Sequence, residues 1–208
     1  MKNIDEIELE LGDHSAREKG MCAMEAVAWL AGEKHSDAPD CASPVLTRYI
    51  QVLNDRLKHS ERQLLKPFLH RVIGTRDNLD IKRAEILALG TVNTIVPIFF
   101  EGAGLLKEAK AMREAKTLSA AAYAAYAATA ANAAYAAAYA ADAADAAGAA
   151  ARAAADAAYA ADAAYAAARA AADAAAYAAD AADAAAGREK VINATLELLD
   201  KVLEVAYD

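Results

Sequence analysis

Apolar residues in the first 118 positions recur at helical spacing, in blocks broken by glycine and proline. Met21 to Ala31 (MCAMEAVAWLA) is apolar nearly all round, which predicts a buried helix ended by Gly32. A loop with Pro39 follows from Glu33 to Ser43. Pro44 suits a first helical turn, and Val45, Tyr49, Val52 and Leu53 mark the inward face of a helix reaching about Leu57. Ser60 with Gln63 reads as a capping box for a third helix, with Leu64, Leu65, Phe68, Leu69 and Val72 inside. Pro67 predicts a kink in it. Asn78 or Asp80 caps a fourth helix to about Phe100, again holding a proline, and Gly102 and Gly104 separate it from a fifth. Residues 3–12 alternate loosely through Ile4, Ile7, Leu9 and Leu11, as a short strand or an arm would. Gly12 to Gly20 is polar and loop-like. No series of alternating strands follows, so the fold class is all-α.

The fifth helix is expected to feed the stretch from Ser119 to Gly187, where single Tyr, Asp or Arg residues stand three or four places apart in alanine. Alanine has the best helix propensity, and this spacing is that of a helical face. From Gly148 to Gly187 the non-alanine residues share one side; from Ser119 to Gly148 they wind around the helix. A face of methyl groups gains little per residue but permits close approach. The stretch is therefore read as one helix of about 100 Å, or as an antiparallel hairpin turning near Gly148, packed on a close neighbour. A spacer grown by repeat expansion is the competing reading. An ice-binding face would need regular Thr, and Thr129 is alone; no alanine run exceeds three, so this stretch does not read as a membrane span.

The tail, 188–208, is an amphipathic helix with Ile192, Leu196, Leu199, Val202, Leu203 and Ala206 on one face. That face needs a partner, and the N-terminal helices are the nearest. The chain thus divides into an N-terminal helical domain (1–118), the alanine-rich segment (119–187) and a C-terminal helix packing back (188–208).

Charge narrows the function classes. The net charge of −8 falls mostly on the alanine segment, with seven Asp against two Arg, which leaves the N-terminal domain near neutral. Without a basic tract, nucleic-acid binding is not expected. Two cysteines, Cys22 and Cys41, are too few for a disulfide framework. The N-terminus MKNIDEIELE has no apolar core of a signal peptide, and Ile86 to Phe100 reads as a buried helix. A cytoplasmic protein with no membrane association is expected.

Most reactive side chains lie between residues 13 and 55. Cys22, His35 and Cys41 could supply thiolate and imidazole to a metal, and a thiol beside His35, Asp37 or Glu25 could pair a nucleophile with a base. The spacing matches no established ligand pattern, and no catalytic motif is present. The structural alternative makes Cys22 a core residue, Glu25 a cap or loop anchor, and His35 and Asp37 turn-formers. For a phosphate-bearing ligand, Arg48, Arg71 and Arg76 could neutralise charge, His35 and Asp37 could add polar contacts, and Tyr123 and Tyr126 could stack on a base.

The run CAMEAVAWLAGEKHSDAPDCASPVL, with LNDRL, LLKPFLHRVIGT and TLELLDKVLEV, resembles a family of uncharacterised bacterial and phage-encoded proteins. The pattern falls on Cys22, Glu25, Ala31, Gly32, Glu33, Ser36, Asp37, Pro39, Cys41, Pro44 and Val45. The resemblance covers about the first 115 residues and the tail, and the alanine stretch falls where members differ most. It implies origin and architecture, and phage origin suggests a protein that sequesters a component of host defence. Three functions are weighed: a non-enzymatic binding or assembly protein that forms a homo-oligomer through its alanine coil; a small-molecule, nucleotide-type binding or sequestering protein; and a metal- or thiol-dependent enzyme using residues 13–41. No cofactor can be named.

Overall fold

The computed structural model describes residues 3–102, 104–116 and 187–205. The alanine-rich segment, with its helix-or-hairpin alternative, its Asp stripe and the two candidate tyrosines Tyr123 and Tyr126, lies outside them. So does Ala206. The described residues are all-helical, without a β-strand: α1 (Ala23–Ala31), α2 (Pro44–Arg56), α3 (His59–Arg62), α4 (Lys66–Val72), α5 (Asp80–Gly90), α6 (Val96–Gly102), α7 (Leu106–Glu114) and α8 (Arg188–Leu203). Short 3-10 turns at Ile4–Glu6, Arg17–Lys19 and Gln63–Leu65 and a π-helical turn at Thr91–Ile95 complete them.

Residues 3–12 form an arm. Leu9 is fully buried, and its only sheet-like feature is a single bridge to Met21. Gln63 holds the arm from the other side: Leu9 N donates to its Oε1 (3.0 Å) and its Nε2 donates to Leu9 O (2.9 Å). That use of Gln63 corrects its expected role as a cap. The third helix starts two residues earlier, at His59 behind the N-cap Lys58, whose N–H donates to Glu61 Oε2 at 2.8 Å. Its kink is a change of winding, α to 3-10 and back, with Pro67 in the first turn of α4.

The fourth helix also differs from expectation. Its N-cap is Leu79, which contributes no side-chain cap, while Asp80 inside the first turn accepts from Ser43 Oγ, the N-cap of α2. The π-helical turn at Thr91–Ile95 ends two residues before Pro97, whose missing N–H and bulky ring cannot continue an α-helical ladder. Asn93 in that turn donates to Met112 O (2.7 Å) and Ala115 O (2.8 Å), capping the carbonyl end of α7. Ala115 is extended, so α7 ends at Glu114 rather than running on as a helix. Asp80–Gly102 has the length and hydropathy of a membrane-crossing helix, yet Leu87, Val92, Ile95 and Phe100 within it are fully buried in the protein.

Helix α8 packs against α4, α5 and the π-helical turn, and its buried side chains belong to one core with those of residues 4–115. The buried face is Val191, Ile192, Thr195, Leu198, Leu199 and Val202; Leu196 and Leu203, expected inside, are only partly buried. Thr195 is tolerated on this face because it donates its hydroxyl to Val191 O at 2.8 Å and so enters the core satisfied. Gly90 makes room for the helix: a Cβ there would lie 2.2 Å from Leu198 Cδ1. Arg188 holds one end through Nε and an Nη to the two Glu61 oxygens, both at 2.8 Å. Arg71 holds the other, to the Asp200 carboxylate and its carbonyl. Fully buried Val, Leu and Ile side chains each contribute about 1.5–3 kcal/mol, against about 0–1 for an exposed ion pair. The apolar seam, not Arg71, therefore holds α8.

Candidate functional site

Cys22 is buried in the core, as its structural alternative required, and is also the N-cap of α1. Its Sγ accepts from Glu25 N (3.5 Å), and its own N–H donates to Glu25 Oε2 (2.7 Å), a reciprocal cap at the helix entrance. Glu25 is 1 % exposed and takes three further donors. His14 N reaches Oε1 at 2.6 Å, His14 Nδ1 reaches Oε2 at 2.9 Å, and His35 Nε2 lies 3.3 Å from Oε1. The same His35 Nε2 lies 2.8 Å from His14 O. With acceptors on both sides, that nitrogen carries the proton; His35 Nδ1 is buried without a partner. One carboxylate thus ties together the arm, the start of α1 and the loop after it. Burial alone would raise the Glu25 pKa. The Cys22 and His14 N–H groups and the His14 ring outweigh it and hold the carboxyl below its ordinary value.

A carboxylate on a histidine is half of a hydrolytic triad, but the far nitrogen of His14 faces no nucleophile. Glu10 Oε2 is 3.6 Å from Nε2, and a Cβ on Gly20 would meet that nitrogen at 2.8 Å. Burial pushes the Cys22 thiol up to about 12; burial and then Glu33 push Cys41 up to about 11. Raised in this way, neither thiol is primed as a nucleophile near neutral pH. The structure does not gather Cys22, His35 and Cys41: no group of three His, Cys, Asp or Glu among the described residues is placed to hold a metal ion.

A cavity of about 210 Å³ opens beside this cluster, lined by Gly12, Asp13, Cys22, Asp37, Arg48, Gln51, Asn54 and Asp55. Arg48, Gln51 and Asp55 project from one face of α2 by their spacing of three and four. The arm brings Asp13, and the loop after α1 brings Asp37. Several walls are fixed. Gln51 Nε2 donates to Asp37 O (2.8 Å) and Oδ2 (3.1 Å), Gly12 N donates to Asp55 Oδ1 (3.1 Å), and Asn54 bridges Ala23 N and Glu10 O. Arg48 is different. Its one hydrogen bond is a long one to Gln51 Oε1 (3.5 Å), its Nε is buried without a partner, and among the described residues no carboxylate pairs with it. Asp13, exposed to solvent, likewise has no hydrogen bond among them.

Of the residues picked from sequence for a ligand, Asp37 and Arg48 share this cavity. His35 belongs to the Glu25 cluster and Arg71 to the α8 seam. Arg76 is exposed and shares no cavity with Arg48. Asp13, Gln51 and Asp55 line the same cavity as Arg48 and were not picked from sequence for a ligand; the spacing of residues 48, 51 and 55 was the available signal. No protein-family model matches the chain, and no curated protein or solved structure is similar to it. The family resemblance rests on its quoted motif alone.

Proposed function

We propose that this chain is a non-enzymatic helical binding protein whose N-terminal domain takes a small polar ligand in the cavity on α2. The observation that carries the reading is the state of Arg48: a guanidinium lining a cavity beside three aspartates, with no carboxylate paired to it among the described residues. Against catalysis, the nearby thiols are protonated and both histidines are committed to Glu25. A nucleotide finds less support, because the three arginines offered for phosphate lie in three different places and the cavity is small for one.

The reading is tested by ¹H–¹⁵N spectra of the full chain against a broad panel of small polar compounds. Binding should move the resonances of residues 12–13, 37 and 48–55 first, and a Glu25-side signal such as that of Ala28 least. If no compound moves the first set, the cavity is not a binding site. Self-association through the alanine face remains the second part of the proposal, motivated by a face made only of methyl groups. Light scattering showing a strict monomer at high concentration would sink it.

A further inference from the structure

We infer that the ligand class is zwitterionic: a small molecule carrying a carboxylate and an ammonium group, bound between Arg48 and the aspartates facing it. This rests on the reading of the cavity as a binding site and gives it a chemistry. The cavity holds both signs of charge, one guanidinium and the carboxyl groups of Asp13, Asp37 and Asp55, and the two signs do not pair with each other. Arg48 has only a long bond to Gln51 (3.5 Å) and Asp13 has none among the described residues, while their neighbours are pinned: Gln51 fixes Asp37, Gly12 fixes Asp55, and Cys22 is engaged with Glu25. A purely anionic ligand would meet Arg48 but also three carboxyl groups. A purely cationic one would leave the guanidinium without a counter-charge. A molecule with both ends satisfies both, the planar fork of Arg48 taking a carboxylate and the aspartates an ammonium group.

Size sets the scale. At about 30 Å³ per water molecule, 210 Å³ accommodates roughly seven water-sized groups, the bulk of a short amino acid. The uncharged lining is polar as well, Gln51 and Asn54, so an apolar chain longer than a few carbons gains little there.

The test uses the full chain and a matched set of probes: glycine, β-alanine, 4-aminobutyrate and 6-aminohexanoate as zwitterions, with butylamine and butyrate as single-charge controls. Affinities come from the resonances of residues 12–13 and 48–55. At least one zwitterion should bind about ten-fold or more tighter than either control. Arg48→Gln should abolish that advantage over butylamine and leave butylamine's own affinity within about two-fold, a split that general loss of structure would not produce. Asp13→Asn, at an exposed position, should weaken the zwitterion and butylamine together and spare butyrate. If butylamine or butyrate binds as tightly as every zwitterion, the inference is overturned and the cavity stands as a site for one charge. If none of the six binds, the inference is overturned; the cavity reading falls with it only when the broad polar panel is silent too.

Discussion

Two polar clusters meet at Cys22 and differ in how far they are satisfied. Around Glu25, the backbone N–H groups of His14 and Cys22 and the two imidazoles converge on a single carboxylate. Around Arg48, a guanidinium and several carboxyl groups share a cavity without pairing. The first contains the residue types that look reactive in a sequence, a cysteine, two histidines and a glutamate, and they hold the arm, α1 and its following loop together. The second contains ordinary aspartates and an arginine, and it has bonding capacity left over. Arg83 shows that this surplus is not general. It is 2 % exposed, and while its Nε also lacks a partner, its other nitrogens reach the two Asp77 oxygens (2.5 and 2.7 Å) and Thr75 O (3.0 Å). An unpaired charge lining an open cavity, rather than reactive residue type, separates a candidate site from scaffold here.

The contrast breaks most visibly at Glu25. Glu25→Ala strands the donors of His14, His35 and Cys22 inside the protein and should cost about 3–5 kcal/mol of stability in chemical denaturation. The α8 seam lies away from both clusters and should respond by packing alone. Gly90→Ala drives a methyl group into Leu198 and should cost about 1–3 kcal/mol. Leu198→Ala in the same chain should recover part of that loss, so the double variant should be less unstable than the sum of the singles.

Acid sharpens the comparison further. Glu61 is held below its ordinary value of 4.5, first by the Arg188 hydrogen bond and against the effect of burial. A carboxyl with a lowered folded pKa contributes its full stability above the unfolded value and loses it as pH falls through the folded one. Glu25 and Asp77 are lowered too and follow the same sign. Stability should therefore fall from about pH 5 downward. Glu61→Gln should remove about 1 kcal/mol of that acid-dependent part, leaving a shallower pH profile. The smallest effect is expected at the cavity. Asp13→Asn, with no hydrogen bond to lose among the described residues, should stay within about 0.5 kcal/mol of the wild type.

Much of the scaffold was legible in the chain. The apolar block at 21–31 is α1 with Gly32 in the left-handed conformation after it, Pro44 opens α2 behind Ser43, and Leu199 and Val202 are buried as the tail's apolar face required. What escaped depends on contacts that no local pattern encodes. Gln63 left its helix cap for Leu9, 54 residues away, and Thr195 entered the core because its hydroxyl bonds its own helix. Glu25 was readable as a cap or loop anchor; its two histidine partners come from loops on either side of α1. The cavity was the least legible. Its α2 face has the regular spacing of residues 48, 51 and 55, but Asp13 and Asp37 reach it from loops, and nothing in a loop's sequence tells which wall it will form.

The central claim is that the Glu25 cluster is scaffold and the Arg48 cavity is not. Urea unfolding of Glu25→Gln and Arg48→Gln side by side tests it most directly. Glu25→Gln turns an acceptor into an amide donor facing the donors already there and should lower stability by about 2–4 kcal/mol. Arg48→Gln removes a charge that holds nothing in place and should stay within about 1 kcal/mol of the wild type. Equal losses in the two variants, or a larger loss for Arg48→Gln, would contradict the account and make Arg48 part of the scaffold.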